Sequence, residues 1–72
     1  MNFGAAIESL KAGEKVTREG WNGKGLWLEL QVPDAHSKMS LPYIYLNYPT
    51  GVRVPWVASQ TDMLGDDWTF SN

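Results

Sequence analysis

Two alternating segments flank Asn22-Gly23, and that dipeptide constrains the fold more than any other feature of the chain. A type I′ turn needs positive φ at both central residues, which Asn and Gly tolerate, so the flanking segments are expected to fold back as an antiparallel hairpin. The first segment, EKVTREGW, has the β-branched residues and alternation of a strand running from about Lys15 to Trp21. In the second, LWLELQV, Leu26, Leu28, Leu30 and Val32 point one way, while Trp27, Glu29 and Gln31 point the other. The leucine face belongs to a core. Trp27 falls on the polar face, and with Trp21 it stands beside a turn that requires neither indole.

The remaining elements follow from the same signals. Residues 2–12 carry Phe3, Ile7 and Leu10 on one helical stripe, with Asn2 as a suitable N-cap, Lys11 in the last turn and Gly13 as a stop. Residues 33–41 form a loop containing Pro, Asp and Ser. PYIYLNY alternates as a third strand, and PTG turns it back into VRVPW, where Pro55 requires a sheet edge or a strand end because it cannot donate to a ladder. Ser59 lies three residues before Asp62, the spacing of a capping box at a short helix start, and GDDWTF is expected to return as a last strand. These pieces predict one α+β domain spanning residues 1–72. Its N-terminal helix packs on a small antiparallel sheet, with a short helical turn near the C-terminus.

A chain of 72 residues buries a small core and needs some compensation. It has no cysteine, which excludes disulfides and thiolate metal sites, and a single histidine, His36, cannot build a zinc site alone. Self-association is the expected compensation, with no metal and no cofactor. No apolar run is long enough for a bilayer and no signal peptide is recognisable, so a soluble, cytosolic protein is expected. Six basic against eight acidic residues give a net charge of −2 and argue against a DNA or RNA polymer as partner. A small anionic ligand held by a few aimed donors is compatible with that charge.

Catalytic patterns are weak. His36 reads as a solvated loop residue, Asp66-Asp67 as a solvated turn supporting the next strand, and Gly23 and Gly25 lack the spacing of a phosphate loop. The four tryptophans are the informative set. Trp68 reads as core, Trp56 as core or interface alike, and Trp21 and Trp27 as recognition residues, since an indole can stack on a nucleobase or anchor a subunit contact. The SQTDM segment offers hydroxyls, an amide and a carboxylate at a helix start, where plain capping by Ser59 and Asp62 is the simpler reading. Asn2 has the same two readings.

The segments MNFGAAIESLKAGEKVTREGWNGKG (residues 1–25) and VPWVASQTDMLGDDW (residues 54–68) together resemble the family of the second Thoeris anti-defence protein, a group of small phage proteins. The pairing of REGWNGKG with SQTDML and the following DW carries the resemblance. It implies a non-enzymatic sponge, acting in the cytoplasm of the infected bacterial host, that holds a glyco-cyclic ADP-ribose immune signal unchanged. It also implies a homotetramer, a dimer of dimers, with pockets between subunits and, in some relatives, cyclic di- or trinucleotide signals at a separate site. Carried onto this sequence, Trp21 supplies the stacking face with Phe3 as partner, and Asn2, Ser59, Thr61 and Asp62 supply polar groups. Gln60 and Met63 line the pocket, the Asn22-Gly23 backbone approaches the ligand, Arg18 or Lys24 sits near the pyrophosphate, and Trp27 faces the pocket or a tetramer contact. Two other classes remain: a hydrolase using Asp62, Asp66 or Asp67 as base, and an aromatic-rich protein-interaction module.

Overall fold

In the computed structural model, residues 1–21 and 25–71 are described. Helix α1 spans Phe3–Lys11, and the Asn2 side chain accepts a hydrogen bond from the Ala5 N–H as its N-cap. The chain then alternates through β1 (Val16–Arg18), β2 (Trp27–Gln31), β3 (Tyr43–Asn47) and β4 (Arg53–Pro55). Helix α2 (Gln60–Leu64) and β5 (Trp68–Phe70) complete it. The five strands form one antiparallel sheet in the order β4-β3-β2-β1-β5, so a four-strand meander is closed by a last strand returning to the first. The α+β architecture anticipated from the pattern is the one observed.

One face of the sheet is apolar. Val16 pairs with Leu28, Leu28 with Leu46 and Leu46 with Val54, placing these side chains on one face, which α1 covers over β1, β2 and β5. Ala6 and Leu10 from α1, Val16, Leu28 and Trp68 form the buried core. Pleat alternation sends Trp27, Glu29, Tyr43 and Tyr45 to the opposite face.

Two boundaries differ from expectation. β1 stops at Arg18 rather than running to Trp21, because the Trp21 N–H turns back to the Arg18 carbonyl at 3.3 Å while Glu19 N–H donates to the Asp67 carbonyl. β2 ends at Gln31, so Val32, expected on the core face, is 64% exposed just before Pro33. Pro55, as expected, ends the edge strand β4, where its missing N–H leaves no ladder bond unmade. The hairpin turn expected at Asn22-Gly23 lies outside the described residues; the antiparallel pairing of β1 with β2 on either side of it is present.

Candidate functional site

A charged network joins three elements beneath Trp21. Arg18, the last residue of β1, donates from Nη1 to Asp62 Oδ1 of α2 at 2.8 Å and from Nε to Asp67 Oδ1, just before β5, also at 2.8 Å. Asp67 accepts in addition from the Gly20 N–H at 2.8 Å, which pins the turn that leads to Trp21. The Asp66-Asp67 pair is therefore not simply a solvated turn, since Asp67 is a strut between strands. Arg18 is unusually closed in for a surface cation, with only 15% of its side chain exposed. Its ionised form is favoured first by the bond to Asp67 and then by that to Asp62.

Asp62 is the hub. Its backbone N–H donates to Ser59 Oγ while its own Oδ2 accepts from the Ser59 N–H, which completes the capping box. Oδ1 accepts from Arg18 and, at 3.1 Å, from the Trp21 indole N–H. Burial works to raise the Asp62 pKa, but the Ser59, Trp21 and Arg18 hydrogen bonds outweigh it and bring it down to about 2. A buried carboxylate survives ionised when its lone pairs are filled in this way.

The aromatic layer lies against this hub. Trp68 is 1% exposed and its indole N–H donates to the Asp62 carbonyl at 3.0 Å, as expected of a core tryptophan. Half-buried Trp21 meets it edge-on at 5.4 Å, and Trp56 meets it edge-on at 6.0 Å. Phe3, at the start of α1, lies 5.7 Å from Trp68 and 6.3 Å from Trp56. Trp56 packs against the core, in line with the first of its two readings, while retaining exposed surface.

The expected ligand-facing residues therefore separate into groups. Trp21, Phe3, Ser59, Asp62 and Arg18 share one region linked by contacts, but Asp62 and Arg18 face each other and Trp21 rather than outward. Asp62 is only 7% exposed. Ser59 and Thr61 have exposed hydroxyls 3.0 Å apart, Gln60 is exposed, and Met63 is 39% exposed. Asn2 is exposed at the N-cap of α1. Trp27 belongs elsewhere. On the opposite sheet face its indole N–H donates to Glu29 Oε1 at 2.7 Å, Tyr45 donates to Glu29 Oε2 at 2.8 Å, and Lys15 lies over the Trp27 ring. Asn22, Gly23 and Lys24 lie outside the described residues.

Two clefts, of about 560 and 440 Å³, meet at Trp56 and Ile44, the first walled by Met39, Leu41 and Pro55, the second by Ile7, Leu10 and Leu30. Neither includes Trp21 or residues 59–63 in its walls. Trp21 itself lies 6.4 Å from the Trp56 ring, with its indole N–H on Asp62. Trp56, which adjoins both it and the clefts, lies beside the candidate site although the sequence did not place it there; its Pro-Trp setting at a strand end was the available signal.

A family model, the Thoeris anti-defense 2-like domain, matches residues 1–71. The chain belongs to this family. A relative, Thoeris anti-defense 2 of Bacillus phage SP01, is 40% identical over 81 aligned positions that cover 94% of this chain and 91% of that protein. In this Thoeris anti-defense 2-like chain the matched span takes in both halves of the Trp21–Asp62 region. No group of three or more potential metal ligands occurs among the described residues, and none of the helices there is long and apolar enough to cross a membrane.

Proposed function

We propose that the protein is a phage anti-Thoeris factor that binds a glyco-cyclic ADP-ribose signal and sequesters it, unbroken, in the cytoplasm of the infected host. The observation that carries this reading is the family match across residues 1–71, which spans the whole Trp21–Asp62 region. The chemistry of the surface supports it. A half-buried indole held by a charged hydrogen bond is a rigid stacking face for adenine. Ser59, Thr61 and the Asn2 amide stand exposed and suited to ribose and base edges. Asp62 orients the indole in this scheme rather than touching the ligand. In a homotetramer, a dimer of dimers, a neighbouring subunit closes this surface into a pocket.

A hydrolase is the competing class, and two of its candidate bases are poorly placed. Asp62 has a pKa of about 2 and both of its oxygens already accept hydrogen bonds. Asp67 is held below the usual carboxylate range, first by Arg18. A general base works best with a pKa near the operating pH. The decisive experiment mixes protein with purified signal, denatures the protein by heat, and assays the released molecule. Intact, active signal is expected; a cleaved product would establish the hydrolase instead. Calorimetry of the same mixture separates the third class, since an interaction module with no nucleotide partner gives no heat. A parallel titration with a cyclic dinucleotide reads whether a separate site for cyclic oligonucleotides is present.

A further inference from the structure

We infer that Arg18 is a positioning residue of the signal-binding surface: it locks the Asp62 carboxylate, and through it the Trp21 indole, in the orientation in which the ligand stacks. The inference rests on the sequestration reading and assigns Arg18 a part different from the pyrophosphate contact suggested by the resemblance.

Three observations carry it. First, the guanidinium's strongest contacts are internal. Nη1 and Nε each hold a different carboxylate at 2.8 Å, and Asp62 Oδ1 receives Arg18 and Trp21 together. Second, the same network fixes the backbone leading to Trp21, because Asp67 Oδ2 accepts from the Gly20 N–H. Third, two glycines leave room for it. A Cβ at Gly20 would lie 2.7 Å from Asp67 Oδ2, and one at Gly65 would lie 3.0 Å from each of Arg18 Nη2, Asp67 Oδ1 and the Thr61 carbonyl. Gly65 has φ −73°, a conformation open to any residue, so its lack of a side chain serves space rather than backbone freedom. Lysine cannot reproduce the clamp, since a single ammonium lacks the planar fork that spans two carboxylates.

The test titrates purified glyco-cyclic ADP-ribose into the parent protein and into Arg18→Lys, Gly65→Ala and Asp67→Asn, each checked for folding by circular dichroism. In parallel, the Trp21 indole N–H resonance is followed in the ligand-free proteins. Gly65→Ala keeps every charge and donor, and Asp67→Asn is isosteric, so it keeps the test readable if the alanine variant does not fold. A positioning role gives Kd values raised roughly tenfold in Arg18→Lys and Gly65→Ala, with a smaller rise in the same direction in Asp67→Asn. In each variant the Trp21 resonance moves. A direct pyrophosphate contact gives a different pattern: only Arg18→Lys loses affinity, while Gly65→Ala and Asp67→Asn bind as the parent does with the resonance in place. That pattern overturns this inference alone. Absence of binding by the parent protein overturns the sequestration reading, and this inference with it.

Discussion

Trp21 is held from two directions, by its N–H on Asp62 and by its ring against Trp68, and this defines what its loss should do. Trp21→Ala removes the stacking face together with part of the aromatic layer. Signal binding is expected to vanish from calorimetry, with a stability loss of about 2 kcal/mol for a half-buried aromatic, read by chemical denaturation. Retained binding would remove Trp21 from the site. The sequence singled Trp21 out because an Asn-Gly turn needs no indole beside it, and the structure shows that the ring also packs into the aromatic layer. Its surroundings were not legible in the sequence. They depend on the bend at Glu19-Gly20 that ends β1, and on hydrogen bonds to Asp62 and between Gly20 and Asp67 that link residues more than 40 positions apart. Alternation already put Trp27 on the polar face, but that Trp21 packs on the core side emerges only from the structure.

Helix α2 has five residues, too few to persist by backbone bonds alone, so its ends decide whether it forms. Ser59→Ala removes the side chain that accepts the Asp62 N–H and is expected to lower stability by ~1 kcal/mol in a denaturant titration. This cap was legible because Ser-x-x-Asp is a local signal, as were Asn2 and the stripe of α1. The second task of Asp62, bonding Arg18 and Trp21 across the sheet, was invisible to spacing. It has a pH signature. A carboxylate whose folded pKa is depressed stabilises the fold above its unfolded pKa and loses that stabilisation as pH falls through the folded value. Asp62 falls from an ordinary 3.8 to about 2. Thermal midpoints should therefore drop between about pH 4 and pH 2, by a free energy on the order of 2 kcal/mol from this group. Asp67, shifted in the same direction chiefly by Arg18, steepens the fall. In Asp62→Asn this acid limb should be shallower from a lower starting stability. An unchanged limb would mean that the Asp62 network adds nothing to the fold.

At the scale of the whole molecule, five of the described residues make up the buried core while much apolar surface stays outside it. Val57 is 89% exposed, Leu64 82% and Leu41 76%, and Phe70 on the closing strand is 55% exposed. Val57 directly follows Trp56, and Leu64 directly follows Met63 in α2, so two of these exposed side chains are chain neighbours of residues in or beside the candidate site. A domain this small gains little from its own core, and the proposed association would add burial at roughly 25 cal/mol per Å². Sedimentation equilibrium is therefore expected to return a mass near four times the 8.1 kDa chain at micromolar concentration, as a tetramer requires. Val57→Asp and Leu64→Asp should shift that mass downward without unfolding the subunit, because both side chains lie outside the core. If the interface also closes the pocket, the same variants lose signal affinity in proportion to the dissociated fraction, and raising the protein concentration restores it. A monomer that binds signal at full affinity would separate the two properties and place the ligand on the Trp21 surface of a single chain.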